Sequence, residues 1–577
     1  MLERTTSCNK IPFMITLLDY GAGNVRSVRN AIRALGFTLR DVKTPDDIRR
    51  AERLIFPGVG AFGSAIARLQ ADGYMAPLRE YLHSGKPFLG ICIGLQALFE
   101  GSEESPDAPG LGIIPGQIRR FDGQHLSVPQ IGWNGLRLSR PSALFSDHGQ
   151  EIDAPEIDDE KLYFVHSYRA LPEPANADWV LATTDYGDRF ISAVQRGNVA
   201  AVQFHPEKSG AAGLAILRNF LTAEDLSASG ASSSQVSSLL AARTPTPTKL
   251  AKRVIACLDV RANDQGDLVV TKGDQYDVRE SASGLTGDAS GDGGRRVRNL
   301  GKPVALARRY YEEGADEITF LNITGFRDFP LEDQPMLDVL RETSKNVFVP
   351  LTIGGGIREY TDAAGRYYSS LHVAAEYFRS GADKISIGSD AVYTVEEYNR
   401  TGRASGKSAI EQIARVYGNQ AVVISIDPRR VYVHTPDDVP FPVIKTAIPG
   451  PNGEQYCWYQ CTVRGGREGR PMEASQLARV CEGLGAGELL VNCIDRDGTG
   501  RGFDMELIRL IKSAVSIPII ASSGAGNVRH FSQVFAETDV EAALAAGIFH
   551  RKEVPIAKVK EHLRGEGIET RSFFGAK

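Results

Sequence analysis

The sequence is poor in the features that commit a chain to a membrane, a metal or a nucleic acid. No apolar run reaches the roughly 18 residues that span a bilayer. The opening stretch MLERTTSCNKIP has no secretory apolar core. Charge of neither sign dominates: 66 Lys and Arg stand against 71 Asp and Glu, a net charge of -5. Such a balance offers no basic face to nucleic acid or to an anionic surface. Cysteine is scarce, with 7 in 577 residues. The odd count and irregular spacing exclude a disulfide framework and suit a reducing compartment, so the cytoplasm is the default location. Cys457 and Cys461 lie four apart, but no second pair completes a zinc set. Neither a metal nor a cofactor is expected. A phosphate loop of the GxxxxGK[ST] type is missing too, which argues against an ATP-driven ligase.

What is present is a long chain with two rhythms. At 577 residues it exceeds one core, since domains run roughly 100–250 residues. An apolar strand at Met14–Leu18, a YGAGN turn and a helical pattern through Ala34 open a strand–turn–helix rhythm that continues to about residue 222. It predicts an α/β domain over residues 1–222 with a largely parallel sheet. Residues 223–250 are rich in Ser, Ala, Thr and Pro and read as a linker. Over residues 251–577 eight apolar strands alternate with helices: VIACLDV, EITFLNI, VFVPLTI, KISIGS, AVVISID, ELLVNCI, IPIIAS and EAALAAG. That is the pattern of a (β/α)8 barrel.

The second region also repeats itself. Asp259 matches Asp427, Glu317 matches Glu488 and Pro350 matches Pro518, at offsets of 168, 171 and 168 residues. Two half-barrels of four β/α units each are implied. Polar, Gly-rich stretches at 280–299 and 429–470, after the first and fifth strands, read as long loops over a site.

The segment KPFLGICIGLQALFE places Cys92 on a strand-to-helix elbow between Gly90 and Gly94. Small flanking residues allow the sharp turn, and a helix N-terminus favours a thiolate. Further on, the strand VAAVQF ends in His205, Pro206 and Glu207. An imidazole can take the thiol proton, and a carboxylate can orient that imidazole. A lone buried cysteine is more often core than catalytic; a Cys elbow followed by His and Glu at i, i+2 is not the pattern of a core.

These motifs resemble the class I, triad-type glutamine amidotransferases, over about residues 14–222. The resemblance implies that Cys92 attacks the glutamine carboxamide, that His205 is base and then acid, and that Glu207 orients His205. It implies that Gln96 helps hold glutamine, and that PGVGAFG at residues 57–63, with Gly58, supplies oxyanion donors. The HSY triplet at residues 166–168 is similar to the subgroup that serves histidine biosynthesis.

In the barrel, Asp259 ends the first strand and Asp427 the fifth, so the two carboxylates face one mouth. Each could be a helix cap, but their equivalence under the duplication favours a shared acid/base site. Gly-rich loops occur in both halves, TIGGGI with GSDA and ASSGAG with ALAAG, and two such cradles half a barrel apart imply a ligand with a phosphate at each end. This half resembles the cyclase family of imidazole glycerol phosphate synthesis over essentially all of residues 251–577: ACLDV, VVTKGDQ, GGGI, GADK, NCIDRDGT and SSGAG stand in order. The resemblance implies a bis-phosphate ribotide substrate and an acid/base pair of Asp259 and Asp427. It gives Lys272 and Asp497 substrate contacts, Gly356 and Ser389 one phosphate, and Gly498, Gly524, Ala546 and Gly547 the other.

Two positions depart from the bacterial pattern, Asn322 and Gly388, and both are similar to the fused eukaryotic form. Arg253, Glu317, Lys384 and Glu488 fall at strand starts, two of each sign. The resemblance makes them a gating ring for ammonia that enters the barrel along its axis. Both activities then sit in one chain, with small-molecule substrates and no separate amidotransferase subunit, nucleic acid or membrane as partner.

Overall fold

The computed structural model describes residues 14–21, 23–146, 156–226, 250–263, 267–271, 299–323, 331 and 334–572. Lys272, the 280–299 stretch (Asn299 apart) and most of the 223–250 linker lie outside the described residues. No helix among them is long and apolar enough to cross a membrane.

The first region is a nine-stranded sheet in the order Leu39–Asp41, Ile15–Leu17, Arg53–Phe56, Phe88–Ile91, Val199–Val202, Asp188–Arg196, Val180–Tyr186, Gln130–Leu138, Glu156–His166. The first five strands are parallel and the rest antiparallel. The largely parallel sheet expected from the sequence is therefore only half of it. The connections explain the difference. Helices Val25–Ala34, Phe62–Ala71 and Met75–His83 are long enough to cross over between parallel strands. Between Tyr186 and Asp188 there is only Gly187, at φ +70°, and such a turn joins antiparallel neighbours.

The second region is a closed barrel. Strands Arg253–Ala262, Glu317–Asn322, Leu351–Gly354, Lys384–Ile387, Val422–Ile426, Glu488–Asn492, Ile519–Ser522 and Ala542–Ala545 are parallel in that order, and the first pairs with the last. Alternation along each strand sorts the side chains. Ile255, Cys257, Val423, Leu490, Ile520, Ala542 and Leu544 form an inner apolar cluster. Val254, Ala256, Leu258 and Val260 join the outer core beneath the helices.

The 429–470 stretch is not the polar loop its composition suggests. It folds into a small sheet of Pro428–Val433, Ile444–Lys445, Tyr456–Val463 and Glu468–Glu473. Cys457, Tyr459, Cys461 and Val463 on its central strand are buried. Arg430 anchors it: Nε donates to Asp504 Oδ2 (2.7 Å), Nη2 to Asp504 Oδ1 (2.6 Å) and Glu506 Oε2 (2.9 Å), and Nη1 to Thr446 Oγ1 (2.8 Å). Cys457 and Cys461, four apart on one strand, sit about 13 Å from each other and cannot share an ion.

The strand-start end of the barrel rests on the first domain. Trp133 Nε1 donates to Asp316 O (3.3 Å), Gly210 N to Phe348 O (3.0 Å) and Asn24 Nδ2 to Asp383 Oδ1 (2.8 Å). Ser167 Oγ donates to Asn419 Oδ1 (2.9 Å) and Val128 N to Ser516 O (3.1 Å). Each of these barrel residues lies just before a strand, so five of the eight strand starts are engaged.

Candidate active sites

Cys92 follows the strand Phe88–Ile91 and adopts φ +53°, a conformation that costs a non-glycine residue about 1–3 kcal/mol. Its N–H is held by Val202 O at 2.8 Å. The flanking glycines are obligatory: a Cβ at Gly94 would lie 2.1 Å from Phe56 O, and one at Gly90 2.5 Å from Gly94 O. The helix behind the thiol is shorter than the sequence implies. It is the single turn Ile93–Gln96, after which the chain enters the strand Phe99–Ser102. The thiol therefore depends mainly on its neighbours for activation.

His205 is one such neighbour. His205 Nδ1 lies 2.8 Å from Glu207 Oε1, and Cys92, His205 and Glu207 are all buried. Burial alone would lower the imidazole, but the Glu207 carboxylate and the Cys92 sulfur outweigh it and hold His205 well above its ordinary value. The raised imidazole, oriented by Glu207, is a competent acceptor for the thiol proton. Gln203 Nε2 donates to Cys92 Sγ at 3.4 Å, and Gln203 Oε1 accepts from Gln96 Nε2 at 3.2 Å. Gln96 also donates to Tyr168 O (3.1 Å), so its side chain reaches the thiol through Gln203. The PGVG loop lies alongside: a Cβ on Gly58 would lie 2.5 Å from Ile93 Cβ and 2.9 Å from the Tyr20 hydroxyl. His166 of the HSY triplet packs among Phe121, Phe164 and Phe190, and burial lowers it to about 3, which makes it a neutral structural group.

Between this site and the barrel stands the charge ring. Arg253 Nη1 donates to Glu317 Oε2 (2.9 Å) and its Nη2 to Glu488; Lys384 Nζ reaches Glu317 (2.8 Å) and Glu488 (2.5 Å). All four side chains have no exposed surface. Two cations and two carboxylates alternate, so the ring is neutral and fully paired. Burial would raise Glu488, but Arg253 and Lys384 hold it below the usual range. Tyr163 abuts the ring from the first domain: its phenol is buried and pushed far up by burial and by Glu317. The Tyr163 carbonyl in turn accepts the N–H of His205 (2.9 Å).

At the opposite end, Asp427 follows the fifth strand directly. Asp259 does not end the first, which runs on to Ala262 because Asp259–Ala262 pair with Leu268–Thr271, but it stands one residue before the last that pairs with the second barrel strand. Asp427 Oδ1 accepts from Asn492 Nδ2 (2.8 Å) and Ser425 Oγ (3.1 Å). Burial raises Asp427, and the nearby Asp497 adds to the shift, against those two hydrogen bonds. The glycine cradles are shaped for close approach. Gly356, Gly498 and Gly524 have φ of +79°, +73° and +100°. Ser389 opens the helix Ser389–Thr401 and Gly547 opens Gly547–His550 behind Ala546, so backbone N–H groups face the mouth. Ser389 Oγ accepts the N–H of Arg464, from the hairpin Arg464–Gly466 of the small sheet (3.1 Å). Among the described residues no group of three His, Cys, Asp or Glu could hold a metal ion.

The structure thus gathers Cys92, His205, Glu207, Gln96 and Gly58 at one site, and Arg253, Glu317, Lys384 and Glu488 in one ring. Asp259, Asp427, Asp497, Gly356, Ser389, Gly498, Gly524, Ala546 and Gly547 belong to strand ends and following turns. Sequence reasoning missed Gln203, Tyr163 and the Lys208–Asp383 ion pair (2.7 Å). A signal for the last existed, since Lys208 follows Glu207 and Asp383 precedes Lys384.

Comparison with known proteins agrees with this layout. Residues 16–223 match the family model "Glutamine amidotransferase class-I", and residues 253–555 match "Histidine biosynthesis protein". The chain is 61% identical over 562 residues to "Imidazole glycerol phosphate synthase hisHF, chloroplastic" of Arabidopsis thaliana, covering 97% of this chain and 89% of that protein. It is 52% identical over 564 residues to "Imidazole glycerol phosphate synthase hisHF" of Emericella nidulans, covering 97% and 99%. The Schizosaccharomyces pombe protein of the same name is 53% identical over 556 residues, covering 95% and 98%.

Proposed function

The chain belongs to the fused imidazole glycerol phosphate synthases, and we infer from that membership how its two sites divide the work. It is an enzyme of histidine biosynthesis that hydrolyses glutamine and delivers the ammonia to the barrel. There phosphoribulosylformimino-aminoimidazole carboxamide ribotide becomes imidazole glycerol phosphate and aminoimidazole carboxamide ribotide. Both activities reside in one polypeptide, so no separate amidotransferase subunit is needed.

In the first site Cys92 attacks the glutamine carboxamide while N–H groups of PGVG receive the oxyanion. His205, held by Glu207, protonates the departing ammonia and then activates the water that releases glutamate. Ammonia passes the ring of Arg253, Glu317, Lys384 and Glu488 and enters the apolar file of Ile255, Val423, Leu490, Ile520 and Leu544. The file keeps it unprotonated over the roughly 20 Å that separate the first residue of the strand from Asp259. At the mouth it attacks the ribulosyl carbonyl carbon, whose oxygen leaves as water; Asp259 and Asp427 move the protons. The Gly356–Ser389 and Gly498–Gly524–Ala546–Gly547 cradles hold the two phosphates, Asp497 lines the site, and Lys272 contacts substrate.

The observation that carries this reading is the position of the ring. Its four residues begin barrel strands and pair with one another; Tyr163, whose carbonyl accepts the His205 N–H, acts on them from the first domain, and the apolar file continues along the same strands. Turnover of the bis-phosphate with glutamine, compared with ammonium salts, tests it. Substitution at Cys92 should separate the two nitrogen sources.

A further inference from the structure

The two half-barrels differ at two positions that flank their catalytic aspartates. On the first strand Asp259 is preceded two positions earlier by Cys257; on the fifth, Asp427 is preceded by Ser425. Across the neighbouring strand, Asp259 pairs in register with Leu321. Ile426 pairs with Val491, so Asn492 is the corresponding neighbour of Asp427. A thiol and a leucine in one half are therefore a hydroxyl and an amide in the other.

The consequence is visible in the hydrogen bonds. Asn492 Nδ2 donates both to Asp427 Oδ1 (2.8 Å) and to Ser425 Oγ (3.0 Å), and Ser425 Oγ donates to the same Oδ1 (3.1 Å). Thr462 Oγ1 donates to the Asp427 carbonyl (2.6 Å) and fixes the backbone. In the first half the matching contact is Cys257 Sγ to Asp259 Oδ1 at 3.8 Å, a weak donor, while Leu321 offers none and packs on the apolar file.

We propose that Ser425 and Asn492 are positioning residues that make Asp427 the proton donor of the pair, by occupying Oδ1 with two donors and leaving the proton to Oδ2. The inference rests on the reading of Asp259 and Asp427 as an acid/base pair. An oxygen that already accepts two hydrogen bonds is a poor site for a proton, so the proton sits on Oδ2. When it passes to the leaving ribulosyl oxygen, the O–H bond of Asp427 breaks, that oxygen departs as water, and the carboxylate left behind is stabilised at Oδ1. Burial favours the protonated form; the donors make its loss easier. Among the described residues, the other ionisable groups that act on Asp427 are Asp497 after the sixth strand and Cys461 on the small sheet. Asp497 opposes ionisation of Asp427, so the neutral donors are what counteracts it.

The test uses the full-length enzyme with ammonium salts as nitrogen source, so that the amidotransferase site plays no part. Asn492→Leu copies Leu321, and Ser425→Cys copies Cys257. Each should lower kcat, Asn492→Leu by about tenfold, with KM for the bis-phosphate altered less than about twofold. A general acid must be protonated to act, so activity falls as pH rises through its pKa. Removing a donor that stabilises the carboxylate raises that pKa, and the basic limb of the kcat profile should move up by about one pH unit. An unmoved limb, or a loss confined to KM, overturns the proposal. Ser425→Cys, nearly isosteric, gives the same readouts should the leucine variant fail to fold. Asp427→Asn is the separate check on the underlying pair: if it still cyclises with ammonium salts, the acid/base reading falls whatever Asn492 does.

Discussion

Lys208 Nζ lies 2.7 Å from Asp383 Oδ2, and each is the chain neighbour of a functional residue, Glu207 in the thiol site and Lys384 in the ring. Both are shielded from solvent, and Asp383 Oδ1 also receives Asn24 Nδ2. One ion pair thus ties the segment that carries His205 and Glu207 to the strand that carries a ring cation. Nearby, the N–H of Ala61 meets Val416 O at 3.3 Å, so the PGVG loop too is fastened to the barrel.

If that pair transmits the state of the barrel, Lys208→Met should weaken the activation of glutamine hydrolysis by barrel ligand. A coupling of about 1–3 kcal/mol corresponds to roughly 5–150-fold, and a loss toward the lower end of that range is expected. The measurement is glutaminase turnover with and without a bis-phosphate analogue. An activation ratio identical to that of the unmodified enzyme would remove Lys208–Asp383 from the coupling.

The unmodified enzyme should itself hydrolyse glutamine slowly until the barrel is occupied. If the PGVG loop is the switch, a turned peptide brings an N–H toward the oxyanion, and one missing donor lowers the rate about 100- to 1,000-fold. Glycine is required there because a Cβ on Gly58 would collide with Ile93. Equal rates in the presence and absence of analogue would rule the gating out and leave the catalytic assignments intact.

Cys92→Ala should abolish glutamine-dependent synthesis and spare synthesis from ammonium salts. The thiol has no contact with the barrel mouth, and its partners His205 and Gln203 belong to the first domain. Appreciable glutamine use by the variant would make another residue the nucleophile.

Asp259→Asn and Asp427→Asn should each block cyclisation with either nitrogen source, by about 100-fold or more. Near-normal turnover with ammonium salts in both would reduce the two aspartates to helix caps.

Arg430→Leu should destabilise the barrel by about 3–5 kcal/mol, because it leaves Asp504 buried without its cation. Burial would raise Asp504, but the bonds and charge of Arg430 outweigh it and hold the carboxyl below its ordinary value. A lowered carboxyl contributes stability that is full above the unfolded value, about 3.9, and is lost as pH falls through the folded one. The gap between variant and unmodified chain, read from urea midpoints, should therefore be complete near neutrality and shrink below about pH 4. A gap that stays constant into acid would mean that the pair does not titrate as described.

Much of this architecture is legible in the amino-acid sequence alone. Cys92, His205 and Glu207 are short-range patterns in which a strand end fixes the side chain, and local sequence determines strand ends. The eight barrel strands and their duplication follow from apolar periodicity. Even the ring is visible as four charges at strand starts, because alternation sends every such residue to the same inner layer. Three things are decided only by the tertiary structure. The antiparallel half of the first sheet and the small sheet over 428–473 depend on which strands pair and in what register, which neighbours distant in sequence decide. The ring's pairing needs the closure of the first strand on the eighth, since Arg253 meets Glu317 and Glu488 across a barrel rather than along a chain. Lys208–Asp383, Gln203–Cys92 and Asn492–Asp427 join residues whose sequence separations run from 65 to 175, and only packing sets such distances. Local periodicity specifies which face a side chain occupies; which partner waits on that face is a property of the closed fold.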